Sequence, residues 1–230
     1  MNTSPGLLAG DEVNISLKLA ANTSLYLTDR SATKVHPMPN PQTMAKNNYQ
    51  IELGEKTNLE FICEPIILFT DAALEQRIDI KIHSTARLCL SEIIVPGRLA
   101  RGEYYQFRHY YNRLQITSLS GELYVTDAMY LEGKLNPFTE SSLFAAKPIL
   151  ASLIIILPEV DLKLLSQQLE DLEKANCPDL VVASSILPHN KGLLMRGLGD
   201  STRVLKKYLE YALNSVRSLS DRSCLPYIPK

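Results

Sequence analysis

The chain has 230 residues, 45% of them hydrophobic and 21% charged, with a formal net charge of −1. That balance suits one globular unit with a sizeable core, and it excludes the strongly basic footprint of a nucleic-acid or anionic-membrane binder. Cys63, Cys89, Cys177 and Cys224 form no CxxC pair. A zinc knuckle or redox motif is thereby excluded, and the thiols read as reduced in a cytoplasmic protein.

The opening MNTSPGLLAGDE has neither a basic stretch nor a long apolar one, so no secretory signal is read there. From Val13 the residues alternate: Val13, Ile15, Leu17 and Leu19 are apolar, with polar residues between them, which predicts a half-buried strand. A larger unit then recurs. LKLAANTSLYL (17–27), IELGEKTNLEF (51–61) and IKIHSTARLCL (80–90) each place apolar-x-apolar on both sides of five mostly small or polar residues, and their starts at 17, 51 and 80 lie 34 and 29 residues apart. A looser fourth copy spans 114–125. Two short strands around a tight connection cannot bury a face alone, whereas stacked copies can, so the repeat predicts a layered, solenoid-like β structure.

Between the first two copies lies SATKVH (31–36), read as a loop between layers in which Thr33 and Lys34 fix the loop or meet a partner. Farther on, GRLARGE has glycines near phosphate-loop spacing, but Glu103 stands where a lysine is required and would repel phosphate. EYYQFRHYYNR (103–113) mixes aromatics with arginines. The neutral net charge argues against stacking on nucleic acid, and alternation instead predicts a strand with Tyr105, Phe107 and Tyr111 to one side. Residues 148–157 read as a last strand buried on both faces. Their apolar core of nine residues is far short of the ~20 needed to span a membrane.

The rest reads as helical. Pro158 opens a helix with Glu159 and Asp161 in its first turn and Leu162, Leu165, Leu169 and Leu172 along one face, and Pro178 ends it. A second helix is predicted over 201–219, with Leu205, Leu209, Ala212, Val216 and Leu219 on a face. The expected organisation is thus a single domain over 1–230, mainly β in 1–157, with two helices in 158–230.

No nucleophile elbow, HExxH or dinucleotide motif occurs, and His36, His83, His109 and His189 show no paired metal spacing. What stands out is a set of carboxylates near turn or strand ends, Asp11, Glu60, Glu64, Asp71, Glu92 and Glu103, of which Glu60, Asp71 and Glu92 lie beside apolar runs. Burial of a carboxylate is costly unless it is paired, and Arg98 and Arg101 are candidate partners.

SPGLLAGDEV (4–13), LTDRSATKV (27–35), LEFICEPIILFTDA (59–72), EIIVPGRLARGEYYQF (92–107) and LLMRGLGDSTRVLKKYLEYALNSVR (193–217) occur in that order. Together they resemble the UreD (UreH) family of urease accessory proteins. The resemblance implies a non-enzymatic scaffold with a layered β fold and two helices. It also implies three partners: a UreF-type accessory protein, a UreG-type GTPase recruited through it, and the urease apoprotein. No tightly bound cofactor is implied; Ni²⁺ would pass through in transit towards urease. Asp11 falls in the family's Gly-Asp motif, and Glu60, Asp71 and Glu92 fall in its other motifs, so these four are the expected transit carboxylates, with His36 as a further nickel stop. The family usually has strands before the first motif that this chain lacks, and tryptophans where this chain has none. A β-rich interaction module with no metal role is the competing expectation.

Overall fold

The repeat becomes a coil. In the computed structural model, which describes residues 6–158, 160–176, 179–220 and 222–225 (of 172–176 the backbone only), the first turn of the coil is β1 (Glu12–Leu19), β2 (Ser24–Leu27) and β3 (Thr33–Val35). The second is β4 (Ala45–Leu53), β5 (Asn58–Ile62) and β6 (Ile66–Leu68), and the third is β7 (Ala73–Ile82) and β8 (Arg87–Val95). There follow β9 (His109–Ser118), β10 (Leu123–Leu131), the short helix α1 (Ser142–Ala146) and β11 (Ile149–Ile156). The chain continues as α2 (Leu162–Asn176), β12 (Leu180–Ile186), β13 (Leu193–Gly199) and α3 (Thr202–Ser218).

Successive turns stack in parallel and in the register that the repeat specifies. Leu17 pairs with Ile51 and Ile51 with Ile80, while Leu25 pairs with Leu59 and Leu59 with Leu88. Two sheets result: β1-β4-β7-β9-β10, and an eight-stranded sheet running β12-β13-β11-β8-β5-β2, with β6 beside β8 and β3 beside β6. A single-residue slip would turn every buried leucine and isoleucine outward, so this register is strongly held. The fourth copy only half follows. Ile116, and not the copy's first residue Leu114, stacks beside Ile80, a shift of two residues; the chain then reverses, and β10 lies antiparallel to β9 in the same sheet instead of crossing to the other.

Other expectations are corrected. SATKVH is not a plain loop: Thr33–Val35 is a strand paired with β6. In 103–113 only the part from His109 is strand. Tyr105, at φ 54°, and Phe107 are buried in the segment before it, while Tyr111 lies on the opposite, half-exposed face against Tyr130. Residues 148–157 are not the last strand either, because β12 and β13 lie between the two expected helices and extend the eight-stranded sheet. Both helices form. Asp161 caps α2, its Oδ1 accepting from the amides of Lys163 (2.9 Å) and Leu164 (3.2 Å). Glu159, Cys177, Pro178 and the side chain of Leu172 lie outside the described residues.

Helices α2 and α3 cover the outer face of the eight-stranded sheet, where Leu165, Leu169, Leu205, Leu209 and Ala212 pack on Ile93, Leu153, Ile155 and Met195. Gly199 in β13 allows this approach, since a Cβ there would sit 2.9 Å from Cγ of Leu205. Between the two sheets lie two apolar zones, one around Leu53, Ile80, Ile82 and Ile116 and one around Val35, Leu68, Leu74 and Phe107. They do not meet directly.

Candidate functional site

The inward faces of the central strands carry polar residues that break the apolar run. On the five-stranded sheet, Asn47 of β4 stands beside Gln76 of β7, which stands beside Asn112 of β9. Gln76 is 4% and Asn47 is 6% exposed. On the facing sheet Glu92 of β8 stands beside Ser152 of β11, which stands beside Arg196 of β13. The two ladders enclose a space of about 50 Å³. In strand order the layer runs from Asp29 and Thr33 in the first turn of the coil, past Cys63 and Glu64, to Glu92, Ser152 and Arg196.

Glu92 is the charge at the centre. Its Oε1 accepts from the Tyr110 hydroxyl at 2.7 Å and from Gln76 Nε2, and Asn112 Nδ2 lies 3.2 and 3.1 Å from its two oxygens. All three donors are neutral. Burial pushes the Glu92 carboxyl above the usual range, and Tyr110, Gln76, Arg196 and Asn112 each pull it back in part. The Tyr110 hydroxyl is pushed well up by its own burial and by Glu92, so it stays a donor. Asn112 Oδ1 has no hydrogen-bond partner among the described residues, which leaves a buried oxygen acceptor unused beside the carboxylate.

The two ends of the layer differ. At one end the Asp29 carboxylate accepts from the Glu64 amide (3.1 Å), and the Glu64 carboxylate is paired with Lys206 of α3. Between them the Cys63 thiol is pushed well up, first by burial and then by Asp29, Glu92 and Glu64, and so is held protonated. At the other end Arg196 donates to Ser152 Oγ (2.5 Å) and to Asp127 Oδ2 (2.5 Å), tying the two sheets together.

Of the four expected transit carboxylates and His36, only Glu92 lines this space; Glu64, singled out only as a carboxylate of the β-rich half, lines it as well. Asp11 closes a surface turn, accepting from the Leu8 amide at 2.8 Å. Glu60, 2% exposed, points to the helical side and is held by Arg217 (3.0 Å) and Arg222 (2.5 Å). Asp71 is a left-handed turn residue (φ 60°) whose carboxylate meets Lys134 at 2.6 Å. His36 sits edge-on to Phe69, with ring centres 5.2 Å apart, and Arg98 covers that same ring. Arg98 also holds Glu103, as its place among the candidate partners suggested, and keeps that carboxyl below the usual range. No cluster of three or more His, Cys, Asp or Glu side chains able to hold a metal occurs among the described residues.

Asn47, Gln76 and Asn112 are not among the residues expected from the sequence, yet the repeat marks the first two. Asn47 and Gln76 each lie four residues before the start of their copy, Ile51 or Ile80, at an inward position of a period-two strand, whereas Asn112 lies two residues before the fourth copy's start at 114 and reaches the same offset only in the observed register, where Ile116 stacks beside Ile80. Two amides at one offset in two stacked copies is the signal, and the third is placed by the register of β9. Ser152 and Arg196 carry no such mark, because β11 and β13 lie outside the repeat.

The family model described as UreD urease accessory protein matches residues 1–230. A Trichodesmium erythraeum (strain IMS101) protein named urease accessory protein UreD is 58% identical over 230 residues, which is 100% of this chain and 82% of the relative. One of the same name from Actinobacillus pleuropneumoniae serotype 5b (strain L20) is 28% identical over 91% of this chain and 77% of its own length. The urease accessory protein UreH of Helicobacter pylori (strain G27) is 28% identical over 80% and 68%.

Proposed function

The chain belongs to the UreD family of urease accessory proteins and so has a role in urease maturation, and on that premise we propose that it is a non-catalytic scaffold that passes Ni²⁺ to the urease apoprotein. Its partners are a UreF-type protein, a UreG-type GTPase reached through it, and urease, all in the cytoplasm. The observation that carries this reading is the polar layer between the sheets, with one buried carboxylate, Glu92, among neutral oxygen and nitrogen groups. A transit path must replace part of the water around a divalent cation yet release it again. Single carboxylates and amide oxygens do that better than a closed cage of imidazoles and thiolates. Glu92 would be the stop, Asn112 Oδ1 an added oxygen, and Tyr110 the donor that takes up the carboxylate again once the ion has left.

Glu92→Gln keeps the shape and removes the charge. In cells carrying the urease genes it should lower urease activity and urease-bound nickel severalfold, while pull-down of the UreF-type partner is unchanged. An interaction module without a metal role predicts otherwise: activity and pull-down would be kept together or lost together.

A further inference from the structure

A route for a cation ends, at the β13 side, on a fixed positive charge. Arg196 stands beside Ser152, which stands beside Glu92, on the inward face of the eight-stranded sheet. Among the described residues it alone lines both the polar layer and the neighbouring apolar groove of about 520 Å³, which Pro96, Tyr105, Phe107, Met129 and Phe138 help to form. Of its two hydrogen bonds, Nη1 to Ser152 stays within its own sheet and Nη2 to Asp127 of β10 crosses to the other. Arg196 is about a third exposed and Asp127 a quarter, so the pair sits at the mouth between the groove and the interior. Its field reaches inward, because Arg196 is among the groups that offset the burial of Glu92.

We propose that Arg196 is a charge gate: held across the mouth by Asp127 and Ser152, it closes the groove end of the polar layer to a divalent cation, and Asp127 is its counterweight. The proposal rests on the reading of the layer as the nickel path. An arginine keeps its charge at any working pH and cannot be titrated away. A doubly charged ion leaving past it must therefore be repelled unless the guanidinium swings out of line or is drawn off to another anion. Such a ring or single charge at a constriction is a direct way to set which ions pass.

A simple staple predicts the same sign for the two halves of the pair, and a gate predicts opposite signs. Removing either partner breaks the ion pair, so a staple predicts that Arg196→Met and Asp127→Asn act alike. A gate predicts that Arg196→Met, leaving Asp127 as net negative charge, takes up Ni²⁺ better, and that Asp127→Asn, leaving Arg196 as net positive charge, takes it up worse. The full chain, copurified with its UreF-type partner, is titrated with NiCl₂ alone by calorimetry, alongside the wild type. Arg196→Met should bind about tenfold more tightly, equivalent to about 1.4 kcal/mol, and Asp127→Asn more weakly than wild type. Arg196→Gln, which can keep the Ser152 bond, serves if the methionine variant fails to fold. Any result other than opposite shifts overturns the gate. The reading of the layer is tested separately by adding Glu92→Gln to the Arg196 variant. If that addition lowers the affinity, the path stands whatever the gate does. If it changes nothing, or if no variant binds Ni²⁺, the path and the gate fall together.

Discussion

Glu60 and Glu92 lie in neighbouring strands of one sheet, both buried, and their partners give them opposite roles. Glu60 is neutralised by two arginines from the C-terminal part of the chain, so it locks α3 and the segment after it onto β5. Breaking a buried pair on one side strands the other charge. Glu60→Ala should therefore cost about 3–5 kcal/mol in urea unfolding, since Arg217 is only 8% exposed; a loss below ~1 kcal/mol, as for an exposed pair, would contradict the lock. Glu92 has neutral donors only and its carboxyl is raised from 4.5. The folded protein thus holds a proton that the unfolded chain has already released. The stability this contributes is fully present below about pH 4.5, the unfolded value, and is lost as pH rises through the folded value. Relative to Glu92→Gln, the wild type should lose stability as pH rises from about 4.5. A pH-independent difference between the two in urea unfolding would contradict a carboxyl raised by burial.

At the scale of elements, what was legible in the sequence was whatever repeats. The stacked coil, its register and both long helices follow from period-two and period-3.6 patterns, and the aligned Leu17, Ile51 and Ile80 do pair as the repeat implies. The strands β12 and β13 were not legible. LVVASSI and LLMRGLG carry serines and glycines in place of alternating apolar residues, and Gly199 is there to admit Leu205 rather than to favour a strand. The candidate carboxylates were chosen by proximity to apolar runs, which cannot tell an inward strand position, as for Glu92, from a turn, as for Asp71, or from the helical side of the sheet, as for Glu60. The first element also carries a liability. β1 ends the five-stranded sheet, and its Ile15, 39% exposed, is at the inward register position beside Tyr49. An apolar edge strand invites pairing with another chain. Ile15→Lys should reduce self-association of the purified protein in sedimentation velocity while shifting unfolding by less than about 0.5 kcal/mol. Unchanged association would place the sticky surface elsewhere.

For the whole molecule, two apolar zones separated by a polar layer are a poor design for stability alone. Replacing a buried polar network by apolar groups of similar volume is often neutral or stabilising by about 1–4 kcal/mol. Stability alone therefore does not account for the layer, and the proposed nickel path gives it a use. No helix among the described residues is long and apolar enough to cross a membrane. The direct test is to dry the layer. In the variant Gln76→Leu/Glu92→Leu/Asn112→Leu, assembled with the accessory partners and incubated with urease apoprotein and Ni²⁺, the nickel bound per urease active site is measured by atomic emission after gel filtration. The account predicts a variant at least as resistant to urea as the wild type that loads little or no nickel. A stable, partner-binding variant that loads urease fully would contradict it.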